Sequence, residues 1–316
     1  MIKSVLVTGV NSFVGQSLFH ELCNSGYEVY GTVRSKNCSE KESISEEVYK
    51  LDNYFDANWK QILNGIDCVI HLASINDSGK ERNYQEIHKF NVLFTEFLIK
   101  KSVELKVKKF IFVSSIKVNG EFSILNQAFN NSSHPSPKTY YAKSKFEAEN
   151  RIKDVCKSSQ TSFTIIRPPL IYGPGVKGNF LLFLKLASKR IPLPIERLHN
   201  KRSMLFIENF NDFIKELLVN SNSANKTFFI SDGEDISTKK LLLEISYNLN
   251  IKMKIFPFPV SLIRSFFYLI GLSSISIKLF ENLQIDNSES FTQLNWIPPY
   301  SIYQGIKITT EWYRND

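Results

Sequence analysis

The segment from residue 4 to residue 24 constrains this chain more than any other. Residues 4 to 8 form a short apolar run rich in β-branched side chains, the texture of a buried strand. The string Val5-Leu6-Val7-Thr8-Gly9-Val10-Asn11-Ser12-Phe13-Val14-Gly15 then sets one glycine at the strand exit and another a turn into the adjoining segment. There Phe13, Val14, Leu18, Phe19 and Leu22 recur at helical spacing. A strand, a tight glycine turn and a helix bring backbone N–H groups and the positive end of the helix to one point, a seat for a pyrophosphate. Taken alone, the same spacing also describes an ordinary tight connection.

The rhythm repeats. Residues 27 to 33, 66 to 72, 109 to 114 and 162 to 167 read as further strands, the last closed by Pro168-Pro169. Residues 84 to 105 and 140 to 156 read as helices between them. Strands alternating with helices predict an α/β chain with a doubly wound parallel sheet. Past residue 168 the texture changes, so residues 1 to 168 are expected to form a dinucleotide-binding domain and residues 169 to 316 mainly a smaller substrate-binding region. A helical stretch at 210 to 218 and a strand at 227 to 231 predict that the chain returns to the sheet at about 203 to 231, before helical segments open at 238 to 249. Residues 258 to 280 are very apolar, but Arg264, Gly271, several serines and Lys278 interrupt them, leaving no uncharged stretch long enough to span a bilayer. A core or pocket-lining helix is expected there, with a membrane-surface helix as the alternative.

Composition narrows the function. A chain of 316 residues, 43% hydrophobic and 22% charged, is not disordered, collagenous or a small disulfide scaffold. Lys+Arg 39 against Asp+Glu 31 gives +8, which suits a phosphate-rich ligand or simply a basic surface. No basic run is dense enough to follow a nucleic-acid backbone. Cys23, Cys38, Cys68 and Cys156 show no Cys-x-x-Cys spacing, and Met1-Ile2-Lys3 runs directly into the first strand, so a reducing, cytoplasmic compartment without a signal peptide is expected. His71, His134 and His199 share no ligand spacing, and no metal is expected.

Tyr141-Ala142-Lys143-Ser144-Lys145 falls on the second of the two helices, where a four-residue step sets Tyr141 and Lys145 on one face. A phenol with an ordinary pKa of about 10 needs a neighbouring cation before it can exchange a proton near neutral pH, and Lys145 supplies one. Tyr140 has only Ser144 four residues on, so Tyr141 is the better candidate. Such a pair alone also describes an exposed helix face.

With Thr8-Gly9 to Gly15, Phe112-Val113-Ser114-Ser115, Tyr141/Lys145 and Arg167-Pro168-Pro169-Leu170-Ile171-Tyr172-Gly173-Pro174-Gly175 in this order, nearly the whole chain resembles the extended short-chain dehydrogenase/reductase family. That family begins with Thr-Gly-x-x-Gly-Phe-x-Gly on a Rossmann-type sheet and acts mostly on nucleotide sugars. The resemblance implies Ser115, Tyr141 and Lys145 as catalytic residues. It implies a dinucleotide held by Gly9, Asn11, Ser12, Phe13, Val14, Gly15, Arg34, Leu72, Ala73, Ser74, Asn91 and Pro168 as well as Tyr141 and Lys145, and a substrate diphosphate held by Asn179 and Arg202. Ser12 departs from the family's middle glycine, so its hydroxyl either donates to the phosphates or holds the cofactor farther off. The second strand ends in Arg34 where NAD sites of this kind place an acid, which favours NADP(H), with NAD(H) possible. As a bland alternative Arg34 is a solvated loop cation. Asp52 or Asp56 could flank the adenine.

Ile116-Lys117 stands where dehydratases carry an Asp-Glu pair, which argues against dehydration. Arg34 then points to a ketoreductase, with a retained-NAD 4-epimerase as the alternative. The stretches Val118-Asn119-Gly120-Glu121, 174 to 180 and Ser231-Asp232-Gly233-Glu234 resemble the subgroup of bacterial surface-polysaccharide pathways, which implies a UDP-4-keto-6-deoxy-N-acetylhexosamine as substrate. Sugar identity is expected to depend on side chains around residues 74 to 84 and 120 to 130. A cofactor-binding sensor without catalysis is the non-enzymatic alternative. Family members often pair as homodimers through the helices that correspond to 84 to 105 and 140 to 156.

Overall fold

The computed structural model describes residues 1–34, 47–76 and 84–316; Cys38 and part of the expected sugar-recognition segment at 74 to 84 lie outside the described residues. Its strands are β1 (Ser4–Thr8), β2 (Glu28–Arg34), β3 (Val48–Leu51), β4 (Cys68–His71), β5 (Lys109–Val113), β6 (Ser162–Arg167), β7 (Leu170–Tyr172), β8 (Met204–Phe206) and β9 (Lys226–Phe229). Seven of them form one parallel sheet in the order β3-β2-β1-β4-β5-β6-β9. β1 lies between β2 and β4, so the connections diverge to either side of it and leave a crevice at the carboxyl ends of β1 and β4. β7 and β8 pair in a separate two-stranded parallel ladder.

Both faces of the sheet are covered, which explains why its strands read as continuous apolar runs rather than alternating ones. Side chains still alternate. Val5, Val7, Val33, Ile70, Ile111 and Ile166 face one core, which runs on without a break through Phe206, Phe210 and Ile306 of the second half of the chain. Leu6, Val69, Phe110, Phe112 and Ile165 face the other, against Phe94, Leu98 and Ile152.

The helices are α1 (Phe13–Asn24), α2 (Trp59–Ile62), α3 (Tyr84–His88), α4 (Thr95–Glu104), α5 (Tyr140–Cys156), α6 (Asn179–Ser188), α7 (Ile207–Val219), α8 (Thr238–Asn248), α9 (Val260–Leu269), α10 (Ser273–Phe280), α11 (Ser288–Leu294) and α12 (Ile302–Asn315). The long helix expected over 84 to 105 is α3 and α4 joined by a π-helical turn at Lys89–Phe94, a local widening common at functional sites. α5 spans the range expected of it, capped by the Thr139 hydroxyl.

Contrary to expectation, residues 258 to 280 do not form a buried helix: they break at Gly271 (φ +74°) into α9 and α10, and α9 contains no buried residue. Val260, Ile263 and Phe267 pack on the core from one side, but Leu262, Phe266 and Leu269 face outward. Only α10 meets the expectation, because it lines the cleft at the carboxyl ends of the central strands. Among the described residues no helix is long and apolar enough to cross a membrane.

Candidate active site

A cleft of about 1080 Å³ opens at the carboxyl ends of β1, β4, β5 and β6, ample for a dinucleotide's reacting half and a sugar. Gly9, Asn11, Ser12 and Val14 form its floor. Gly9 sits at φ +78°, where a Cβ would also press to 3.1 Å from the Ala73 backbone, so both conformation and space require glycine. Its N–H donates to Thr32 O at 2.8 Å, which ties the turn to β2. The Ser12 hydroxyl is committed within the turn: it donates to Gly9 O at 2.8 Å and accepts from Gly15 N–H at 3.0 Å. Ser12 therefore caps α1, and its one proton is already used. Phe13 and Gly15 do not line the cleft. Phe13 packs on the core, and a side chain at Gly15 would collide with the Gly9 carbonyl, so this glycine lets α1 approach β1. These are the features of a cradle that fits a dinucleotide's phosphates.

The wall next to it is built on polar contacts between distant segments. His71 and Thr8 are register partners on β4 and β1, both fully buried. The Thr95 hydroxyl donates to Asn91 O at 2.8 Å, so its oxygen is left to accept from His71 Nε2 at 2.9 Å. His71 Nδ1 then accepts from the Thr8 hydroxyl at 2.7 Å, whose oxygen in turn receives the Ala73 N–H at 3.2 Å. Burial, helped by the charge of Lys145, pushes His71 down to about 3, so it works as a neutral tie rather than a proton donor. Asn91 lies behind the wall rather than in the cleft. Its side chain accepts from Ile75 N–H and donates to Ile75 O, both at 2.8 Å, and donates to Ser144 Oγ at 3.0 Å. The Leu72, Ala73 and Ser74 segment that borders the cleft is held from these two sides.

On the opposite wall Ser115, Tyr141, Lys145 and Pro168 all line the cleft. Ser115 opens a 3-10 turn (Ile116–Val118) after β5, and its hydroxyl accepts from Lys117 N–H at 3.3 Å. The Lys145 ammonium lies 5.9 Å from the Tyr141 ring centroid and 4.6 Å from that of Phe112, and donates to Val113 O at 2.9 Å. Burial pushes Lys145 down to about 7, against the upward pull of Glu149 one turn later. Glu149, fully buried, accepts from Arg167 Nε at 2.9 Å and Nη2 at 2.5 Å and from Ser114 Oγ at 2.5 Å, while Arg167 Nη1 reaches Asn119 Oδ1 at 3.0 Å. This network fixes α5 against the ends of β5 and β6. A phenol, an ammonium and an alcohol on one wall can pass a proton to and from a substrate oxygen.

Arg34 lines the far end, its guanidinium 5.3 Å from the Phe90 ring centroid. Asp52 and Asp56 do not line the cleft. At the other end the structure brings Asn179 and Arg202 together with Lys278, which no motif indicated, and with Lys117 and Glu121. Lys278 Nζ lies 3.5 Å from Asn179 Oδ1, and Lys117 pairs with Glu121 at 3.0 Å, all on the lining. Arg202 is anchored through Nη1 to Glu281 O at 2.9 Å, and burial lowers it to about 10. Burial and the charges of Lys117 and Arg202 also lower Lys278, so this end favours an anion that would relieve the repulsion. Glu121 Oε1 is buried without a protein partner. Lys278 carries no sequence signal because only the packing of α10 brings it here, whereas Glu121 belongs to the Val118 to Glu121 stretch and the 120 to 130 range that the sequence singled out.

The profile of the NAD dependent epimerase/dehydratase family matches residues 5–228. UDP-glucose 4-epimerase of Vibrio cholerae is 34% identical over 316 residues, covering 98% of this chain and 95% of that protein. N-acetyl-alpha-D-glucosaminyl-diphospho-ditrans,octacis-undecaprenol 4-epimerase of Escherichia coli O157:H7 is 27% identical, covering 99% and 96%. UDP-glucuronic acid 4-epimerase from Bacillus cereus, solved in complex with NAD, superposes with a TM-score of 0.77 at 20% identity over 99% of each chain. Glycine turn, doubly wound sheet and family profile agree, and the chain belongs to the NAD dependent epimerase/dehydratase family of nucleotide-sugar enzymes.

Proposed function

We propose that this protein is a 4-epimerase of a diphosphate-linked hexose or N-acetylhexosamine. The observation that carries the reading is a single cleft with three parts in line: the Gly9 turn, the Ser115/Tyr141/Lys145 wall and the cationic Arg202/Lys278 end. The two relatives described above, each matched along nearly its whole length, are both 4-epimerases, and one of them is 34% identical, which puts epimerisation ahead of the ketone reduction that Arg34 suggests.

The Gly9 to Ser12 turn, Arg34, Ala73, Ser74 and Lys145 would hold the dinucleotide, which when bound supplies the reversible hydride acceptor that no side chain here provides. Tyr141 Oη takes the proton of the sugar C4 hydroxyl and later returns it to the same oxygen. Ser115 Oγ steadies that oxygen, and the Lys145 ammonium favours the phenolate, a contribution of order 10²- to 10⁴-fold. Inverting C4 requires the sugar to present both of its faces in turn, so it must be anchored by its diphosphate rather than along its ring. Arg202 and Lys278 suit that task, and the unpartnered Glu121 oxygen suits a sugar hydroxyl.

A second reading, reduction of a 4-keto sugar with NADPH, is favoured by Arg34 at the end of β2. Proton NMR on purified protein with UDP-glucose and UDP-N-acetylglucosamine separates the two. An equilibrium mixture reached from either epimer, with no net dinucleotide consumed, is expected. Stoichiometric NADPH oxidation on a 4-keto sugar would favour reduction, and failure to bind either dinucleotide would overturn both readings.

A further inference from the structure

We infer that α9 and the loop beside α6 form a face that docks on an anionic lipid surface. α9 is apolar on two sides. Val260, Ile263 and Phe267 satisfy the core, while Leu262, Phe266 and Leu269, at i, i+4 and i+7, form a second stripe that is 57%, 58% and 81% exposed. A helix that served only the core would be polar on that outer side. The stripe continues through exposed Ile270 and Leu272 into α10.

Charge selects the occupant. Residues 251 to 280 contain Lys252, Lys254, Arg264 and Lys278 and no carboxylate, and residues 174 to 197 contain Lys177, Lys185, Lys189, Arg190 and Arg197 against a single carboxylate, Glu196. The two segments are joined: Leu193 N–H donates to Lys254 O and Phe256 N–H to Leu193 O, both at 3.0 Å. The join sets exposed Lys189, Arg190 and Ile191 beside exposed Lys252, Lys254 and Phe256. Glu281, the first acid past α10, is paired with Arg264. A helix with outward Leu and Phe, entered from a cationic segment, is the pattern of a chain that lies in the interface plane of an anionic bilayer. The adjoining α10 also supplies Ile277 and Lys278 to the cleft, so docking brings the diphosphate end of the cleft close to the lipid surface.

Co-sedimentation of the full chain with vesicles tests this. Wild type is expected to pellet with phosphatidylglycerol/phosphatidylethanolamine vesicles and to stay in solution with phosphatidylcholine alone. Phe266→Ser/Leu269→Ser is expected to lower the partition at least tenfold with unchanged melting temperature and unchanged turnover of a soluble nucleotide sugar, since neither residue lines the cleft. Should that variant fail to fold, Lys189→Glu/Arg190→Glu on the exposed loop must weaken binding instead. Wild type left in the supernatant with anionic vesicles overturns the inference. So does a wild-type dimer, seen by analytical ultracentrifugation, that the Phe266/Leu269 variant converts to monomer without changing vesicle partition. Turnover is read separately, so failure here leaves the proposed reaction standing, and the reverse.

Discussion

Asn91→Asp keeps the shape of a buried side chain and changes only what it can donate. In the wild type Nδ2 serves Ile75 O and Ser144 Oγ, and Oδ1 accepts from Ile75 N–H. A carboxylate keeps the last bond and leaves Ile75 O unserved, while Ser144 Oγ keeps the bond it donates to Tyr141 O. At about 1–3 kcal/mol for a buried unsatisfied group the loss is ~1–3 kcal/mol. An unfolding entropy of about 2.1 cal/mol/K per residue, over 316 residues, is ~0.7 kcal/mol/K, so the melting temperature should fall by ~1.5–4.5 °C. The loss should also depend on pH. Burial and facing acceptors raise the introduced carboxyl above its unfolded value of about 4. A group with a raised folded pKa contributes most below its unfolded pKa, and the contribution disappears as pH rises through the folded one. The variant should therefore lie closer to wild type at pH 5, where its proton restores one donor, than at pH 8. Differential scanning calorimetry at both pH values measures this, with Asn91→Ala as a control that loses the same amount at each. A melting temperature within about 1 °C of wild type, or an equal drop at both pH values, would refute the assignment of Asn91 as the tie behind the cleft wall.

Tyr141→Phe should lower kcat by about 10²- to 10⁴-fold while dinucleotide affinity, followed by fluorescence titration, stays within about twofold; unaltered kcat would remove Tyr141 from the reaction. Arg34→Glu should weaken NADPH binding by about ten- to a hundredfold, the worth of a charge-assisted pair of ~1.5–3 kcal/mol, and spare NADH; equal loss of both would mean that Arg34 does not read the 2′-phosphate. Lys278→Met should raise KM for the diphosphate sugar with little change in kcat, as expected when a binding contact is lost equally from ground and transition states. Glu149→Gln strands the buried Arg167 charge and should cost ~3–5 kcal/mol in chemical denaturation. In whatever fraction folds, the basic limb of the pH–rate profile should move to lower pH, because Glu149 opposes the fall of Lys145.

What the sequence determined by itself was everything governed by local geometry. Helix pitch alone puts Tyr141 and Lys145 on one face wherever α5 ends up, and the positive φ of the turn between β1 and α1 already favours glycine at position 9 before the Ala73 backbone closes on it. The strand and helix rhythm was legible for the same reason: a buried parallel strand and an amphipathic helix each show their periodicity within a few residues. Where sequence and structure part, the deciding neighbours are far away in the chain. Ser12 is the local exception, its hydroxyl claimed by Gly9 and Gly15 three residues to either side. Asn91 resembled a cofactor ligand until Ile75 and Ser144, 16 and 53 residues away, took its side chain. Lys278 entered the cleft only because α10 folds back beside Asn179. α9 differs in kind, because its composition asked for burial and only one of its apolar sides meets the core. Hydrophobicity is a property of a side chain, whereas coverage depends on which other segments arrive, and that only the tertiary structure decided.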